Sequence, residues 1–350
     1  MKSFLKYLFS LIGLALLVFV GLLIYLAVMD YKPEPLESVE QGGQGIESPV
    51  DSNLYLMSWN IGYGGLFASQ DFFYDGGEFV RPTKETYEAN EKGTQDFFSG
   101  FSHADFILLQ EVDRHSKRSW WNDQLEEMHA QLEGNFSYSF ARNYDCKFVP
   151  APYFGPYMGR VLGGLTTFHK YTPSYAMRHD FPGSYSFPTN LAMLDRCFMV
   201  ERFPAPGGKE LVIINTHNSA YDDGSMKADE MAALKNFLTE EEKTGNWIIV
   251  GGDWNQCPPG FDPLKFKKEE EEYSQTNIPA DYMPGWTWAY DAEIPTNRKV
   301  SAPYDPDTTF TTVIDFFLLS PNVELRNVHG IDMGFKYSDH QPVQIEVTLR

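Results

Sequence analysis

The chain has 350 residues, 43% of them hydrophobic and 15% aromatic, enough to fill the core of one large α/β domain or two smaller ones. With 48 acidic residues against 28 basic ones, its formal charge of −20 argues against a non-specific nucleic-acid coat, which needs a basic surface. Three cysteines, Cys146, Cys197 and Cys257, have no zinc-ligand spacing and allow at most one disulfide, so this is no cysteine-stapled scaffold.

From Tyr7 to Met29 the chain carries no charge, which is long enough to span a bilayer as a helix. Lys2 and Lys6 precede this stretch, while Asp30, Glu34, Glu37 and Glu40 follow it. The asymmetry predicts a single-pass anchor in the cell membrane, with a cytoplasmic amino terminus and everything after residue 30 extracytoplasmic. A cleaved signal peptide is the rival, but its apolar region would be unusually long and no small-x-small cleavage site follows. Residues 31–53, with prolines and glycines among acids, read as a flexible linker too polar to pack. Residues 54–350 read as one domain.

Leu54 to Trp59 predicts a strand ending in Asn60, followed by a glycine-rich loop, Gly62-Tyr63-Gly64-Gly65, whose backbone can approach an anion. A polar helix follows over Thr83 to Phe98. Asp105 to Leu109 predicts a buried strand running into Gln110-Glu111-Val112-Asp113. An acid emerging from such a strand costs free energy unless a cation or donor meets it, which makes Glu111 a metal-ligand candidate. Trp121, Leu125, Met128 and Leu132 fall at helical spacing and read as a core-facing stripe. Between Phe140 and Phe187 the Tyr, Phe, Pro and Gly content, including Tyr144, predicts long loops over a strand near Leu165 to Phe168.

Leu191 to Val200 predicts a strand carrying Asp195 and Arg196, and Leu211 to Ile214 one that ends in Asn215-Thr216-His217. Ser225 to Glu242 predicts a helix leading into Trp247-Ile248-Ile249-Val250-Gly251-Gly252-Asp253-Trp254-Asn255, the strand around which the rest is organised. Its glycines read as a sharp turn that ends the strand near a ligand. Strand, helix, strand makes a βαβ unit. Residues 256–310 read mostly as loop, with Trp286, Trp288, Tyr290 and Arg298 placed to rim a site and Trp286, Trp288 and Arg298 to bind substrate, or, nearly as readily, with the tryptophans packing the loop onto the body. Val313 to Leu319 is a strand with Asp315 inside its apolar run, an acid that needs a partner. Asp339-His340 precedes a last strand, in which Val343, Ile345, Val347 and Leu349 alternate.

Oxygen ligands without cysteine favour a hard divalent cation, Mg²⁺ or alternatively Mn²⁺, over zinc. Histidines near acids, and amides suited to phosphate oxygens, point to metal-assisted phosphoester hydrolysis.

The series Trp59-Asn60, Gln110-Glu111-Val112-Asp113, Asn215-Thr216-His217, Gly252-Asp253-Trp254-Asn255, Ile314-Asp315-Phe316 and Ser338-Asp339-His340 resembles the endonuclease/exonuclease/phosphatase superfamily. The resemblance implies a four-layer α/β sandwich of two packed mixed β-sheets flanked by helices. It makes Glu111 the main metal ligand, with Asn60 and Asp339 alongside. By the same resemblance Asp253 orients or deprotonates the attacking water, and Asn255 holds a phosphate oxygen. His340 is polarised by Asp315, and His217 faces it across the phosphoryl group. Tyr144 and Arg196 are carried as substrate-binding candidates. Nucleases of the family often follow the central tyrosine with Gly-Asn, whereas here Gly163-Gly164-Leu165 stands, a departure from a nucleic-acid-specific pattern.

A small or lipid phosphoester is therefore the expected substrate. An exported endonuclease is the alternative within enzymes, and an inactive tethered binding module the alternative outside them. The module would be expected to have lost an acid or histidine, and all are present. No protein partner is predicted.

Overall fold

The computed structural model describes residues 1–134, 136–152, 156–220, 224–266 and 276–350. Helix α1 (Lys2–Met29) is followed by strands β1 (Leu36–Ser38), β2 (Glu40–Gly43) and β3 (Asn53–Asn60). Helix α2 (Lys84–Phe98), strand β4 (Phe106–Asp113) and the short helix α3 (Gln124–His129) come next. Strands β5 (Ser137–Val149), β6 (Gly159–His169), β7 (Tyr175–Asp180), β8 (Cys197–Pro204) and β9 (Glu210–His217) then precede helix α4 (Ser225–Glu242). The remaining strands are β10 (Trp247–Asp253), β11 (Thr287–Ala289), β12 (Asn297–Arg298), β13 (Thr311–Thr312), β14 (Asp315–Leu319), β15 (Val323–Gly330) and β16 (Val343–Leu349).

Two seven-stranded sheets result, in the orders β1-β7-β8-β9-β10-β14-β11 and β15-β16-β3-β4-β6-β5-β2, with β12 and β13 as a separate ribbon. Each sheet holds one parallel pair. These are β9 with β10 and β3 with β4, spanned by α4 and α2 respectively. The alternation of side chains along each strand then builds layers. Leu54, Leu56, Phe106 and Leu108 of one sheet meet Ile213, Ile249, Phe317 and Leu319 of the other in the central core. The opposite faces carry Val212, Ile248 and Val250 against Leu234 and Leu238 of α4, and Met57, Trp59 and Ile107 against Phe98, Leu125 and Met128. Helix, sheet, sheet, helix is the expected sandwich, and Ser3–Met29 is one helix long and apolar enough to cross a membrane.

Several local expectations are corrected. Residues 31–53 are not an unpacked linker: β1 pairs with β7 and β2 with β5, so the segment extends one edge of each sheet. Edge pairing needs only backbone donors and acceptors, so polar side chains do not prevent it. The aromatic region after Phe140 is a long hairpin of β5 and β6 rather than loops over a short strand. Residues 153–155 there, and 267–275 of the later loop, lie outside the described residues. β8 begins only at Cys197, so Asp195 and Arg196 precede the strand. Trp121 is exposed and leaves the stripe that Leu125 and Met128 do form.

The glycines of the organising strand do not end it, because β10 runs on to Asp253. They let the layers close. A Cβ on Gly251 would lie 2.5 Å from the Phe317 ring, and one on Gly252 would lie 2.0 Å from the Thr216 carbonyl. Cys146, Cys197 and Cys257 are free and buried.

Candidate active site

The ends of β3, β4, β9, β10 and β14 converge with the loop before β16 on one cavity of about 660 Å³. Glu111 reaches it through a register shift between Leu109 and Val112, where its backbone turns to φ +55°. A bulge of this kind re-aims a side chain that regular pleating would send to a sheet face. The strain of a non-glycine residue at positive φ is spent at the site.

Asn60 sits between two acids. Its amide nitrogen lies 3.2 Å from Glu111 Oε1 and 3.0 Å from Asp253 Oδ2, while its oxygen accepts from Gly62 N–H. Asp253 Oδ1 accepts the backbone N–H of Asn255 at 2.9 Å. The turn that supplies this bond needs φ +49° at Asn255, whose own amide donates to the Asn218 carbonyl. Beyond Asp253 stand both histidines, with His217 Nε2 at 3.5 Å and His340 Nε2 at 3.8 Å from Oδ2.

His340 Nδ1 meets Asp315 Oδ2 at 2.8 Å, and its main chain is held by Trp59 Nε1 and the Ser338 hydroxyl. Burial alone would push this imidazole down, but the Asp315 and Asp253 carboxylates outweigh it and hold His340 well above its ordinary value. The Asn297 amide lies 3.0 Å from His340 Nε2. As placed it is the Asn297 nitrogen that faces Nε2, while the Asn297 oxygen has no partner; rotating the amide would let a doubly protonated ring donate Nε2–H to that oxygen. His217 is in the opposite state. Burial first, then the positive charges of Arg196 and His340, hold it well below its ordinary value, and its Nδ1 has no partner among the described residues.

Asp339 completes the acidic side. Burial pushes its carboxyl up to about 7, with His340 pulling the other way and Glu111 adding to the rise. Neither Glu111 nor Asp339 forms an ion pair with Lys or Arg among the described residues, and only the nearby charges of His340 and Arg298 act on Asp339, so two acids face the cavity with room for a cation. That donor set fits a hard divalent cation. Asp253, Asp315 and His340 also bring ligand atoms within 4.8 Å of one another, but the His340–Asp315 hydrogen bond already occupies two of the three.

Tyr144 and Arg196, the substrate-binding candidates, line the cavity. Tyr144 is anchored by its hydroxyl to the Ala192 carbonyl, and Arg196 Nη1 lies 3.5 Å from the His217 carbonyl. Trp286 and Trp288 are not at the rim. Trp286 is buried with its indole N–H on Glu242, and Trp288 packs edge-on against Trp254 and Phe316. Arg298 reaches the cavity wall, but its guanidinium donates to the carbonyls of Leu66, Phe67, Gln70, Lys299 and Ala302, so it is a loop clamp. Its two terminal nitrogens are taken by carbonyls and the buried Nε alone lacks a partner, so little of the guanidinium is left for a phosphate.

Sequence reasoning missed Arg118, which lines the cavity, pairs bidentately with Asp113 at 2.9 Å and lies 3.9 Å from the Tyr63 ring centroid. It also missed Asn297 and Asn218. No strand pattern marks these, although Arg118 follows the Glu111 motif closely. Gln110 and Asn215, both inside recognised motifs, bond to each other across the two sheets at 2.8 Å and tie the layers beneath the site.

A model of the endonuclease/exonuclease/phosphatase family matches residues 57–340. No curated protein sequence matches the chain. Among solved structures, an endonuclease/exonuclease/phosphatase from Beutenbergia cavernae DSM 12333 superposes with a TM-score of 0.57 at 16% identity, over 85% of this chain and 72% of that one. ANGEL2, a 2′,3′-cyclic phosphatase in complex with adenosine-2′,3′-vanadate, gives 0.54 at 14% identity, over 89% and 99%. The human Nocturnin catalytic domain with bound sulfate gives 0.52 at 14% identity, over 89% and 98%. With the matched segment covering most of its length, this chain belongs to the endonuclease/exonuclease/phosphatase family.

Proposed function

We propose that the protein is a membrane-tethered, extracytoplasmic, metal-dependent phosphoester hydrolase acting on a small or lipid phosphoester. One observation carries the reading: Asp253 is clamped between two amide donors and faced by two imidazoles, at 3.5 and 3.8 Å, at the wall of one large cavity. Mg²⁺ or Mn²⁺ would be held by Glu111 and Asp339 with Asn60 alongside, supplying positive charge to phosphoryl oxygens and acidifying a water.

The chain's own groups divide the rest. Asp253, fixed by Asn60 and the Asn255 N–H, orients the attacking water and accepts its proton. Asp315 fixes the His340 ring so that Nε2–H points at Asp253 and Asn297, where it donates to a phosphoryl oxygen that displaces the Asn297 contact. His217 presents its Nε2 from the other side, and Asn255 offers the free hydrogen of its amide. Asn60, with its oxygen already engaged by Gly62, acts mainly by holding Glu111 and Asp253 in register.

Turnover of bis-nitrophenyl phosphate by the full chain in detergent, with Mg²⁺ and with EDTA, tests the reaction. Metal-dependent turnover is expected, and full activity in EDTA overturns it. A panel with plasmid DNA, phospholipid and small diesters tests the substrate, and plasmid cleavage far faster than any other entry would make it a nuclease. Location is tested with protease added outside intact spheroplasts, where a fully protected domain contradicts export.

A further inference from the structure

We infer that the catalytic domain is docked on the bilayer surface, with the β5 side of its cavity turned toward phosphate head groups; the inference rests on the membrane-tethered reading above. The first observation is a matter of length. Helix α1 has 28 residues, about 42 Å at 1.5 Å per residue, against a hydrocarbon core of about 30 Å. About eight residues therefore exceed the hydrocarbon, shared between the end that carries Lys2 and Lys6 and the end at Met29, so the helical face next to Met29 reaches the outer edge of the hydrocarbon. Leu26 is 5% exposed, and Leu22, Leu23 and Ala27 are half-buried, while most of the helix before them is exposed. Residues 22, 23, 26 and 27 form one helical face, so the last two turns pack on the domain.

The chain that leaves the helix continues the attachment. Tyr31 donates to Glu37, and Arg142 of β5 stacks over the Tyr31 ring at 4.2 Å. β1 then joins the sheet edge beside β7. These contacts make the anchor a stalk seated on the body, and they locate the membrane plane near β5.

The same strand walls the cavity. Asn143 and Tyr144 follow Arg142 and line it. Tyr144 and Cys146 hold the segment that carries Met193 and Leu194 into the lining, through the carbonyls of Ala192 and Leu191. Two large apolar side chains on these cavity loops are left in the open. Phe187 is 65% exposed, and Tyr157, against Phe148 of β5, is 39% exposed. Aromatic side chains at this level suit the head-group zone. Arg142, Lys147 and Arg160 share the carboxylate of Asp145, with Asp30, Glu37 and Asp195 close by.

A domain held this way meets an amphiphile whose phosphoester lies at the bilayer surface, and the cavity that holds Asp253 also carries the apolar lining of Met158, Met193 and Leu194. The test uses the full chain in phosphatidylcholine nanodiscs, with and without dibrominated acyl chains. Bimane is placed at Tyr157→Cys, Phe187→Cys and, as a control on the loop after β10, Leu264→Cys. The native cysteines are buried, so the new thiol takes the label. Loss of fluorescence to the bromines is expected at 157 and 187 and not at 264. A flexible Gly-Ser insertion between Asp30 and Tyr31 should abolish that loss. No quenching at 157 and 187, equal quenching at 264, or quenching that survives the insertion would each overturn the docking. Bis-nitrophenyl phosphate turnover in the same discs separates the readings: turnover without quenching defeats the docking alone, and quenching without turnover defeats the hydrolase alone.

Discussion

His217 and His340 stand on opposite sides of Asp253, at 3.5 and 3.8 Å, and differ in almost everything else. His340 comes from a loop, yet it is pinned through both ring nitrogens and its main chain. His217 ends a strand buried from Leu211 onward, yet its Nδ1 meets nothing among the described residues. Burial is nearly the same for the two rings, so burial does not set their charge. The carboxylate of Asp315 on the far nitrogen does. A strand end can therefore supply a neutral imidazole and a loop a charged one, provided the loop is tied to an acid from another strand.

The sharpest way to break that contrast is to remove one side of it. His340→Ala and Glu111→Gln should each lower kcat for bis-nitrophenyl phosphate by at least about 10²-fold, the scale of a single acid–base or electrostatic group. Retention of activity in His340→Ala would mean that the Asp315 pairing has no role in turnover. The contrast is also local, so the tryptophan loop should not report on it. Trp288→Ala, which removes a partly buried ring packed on Trp254 and Phe316, is expected to destabilise the fold by about 2 kcal/mol, below the range for a fully buried aromatic, and to leave KM unchanged. Urea melts with a parallel KM measurement check this, and a raised KM with unchanged stability would restore the loop to the rim.

His217→Asn keeps a donor of similar reach and removes the ring. A loss of about 10-fold, smaller than for His340→Ala, is expected of a group held neutral and unbraced. Equal losses at the two positions would erase the distinction. The weakest effect tests burial without charge pairing, at Glu91. Burial, with Glu127 adding, pushes its carboxyl up to about 7 from 4.5. The folded state thus holds this proton more tightly than the unfolded chain, and stability falls as pH rises from about 4.5 to about 7. Glu91→Gln should raise Tm at pH 8 and change it little at pH 5, where the folded carboxyl is still protonated. Parallel shifts at both pH values would show that Glu91 is ionised throughout.

Much of the site was legible because buried strands announce themselves. Glu111, His217, Asp253 and Asp315 were found as polar residues at the ends of apolar runs or inside one, where an unpaired group is costly. The rest depended on which segment folds over which. Arg298 and Trp288 have the chemistry of a substrate rim, and only the carbonyls of residues 66–70 and the ring of Trp254 make them loop supports. Arg118 and Asn297 sit in no periodic pattern and matter because Asp113 and His340 are beside them.

By itself the amino-acid order determined the apolar span, the βαβ unit around α4, the strands that feed the site and the acids and histidines they deliver. Those follow from hydrophobic period and from the cost of burying a charge, which act over a few neighbouring residues. Tertiary structure alone decided that residues 36–43 complete both sheets, that Gly251 and Gly252 serve layer packing, and that Asp315 charges His340 and not His217. Edge pairing, close approach of sheets and the choice of hydrogen-bond partner all join residues far apart in the chain, and local pattern carries no record of which distant group arrives.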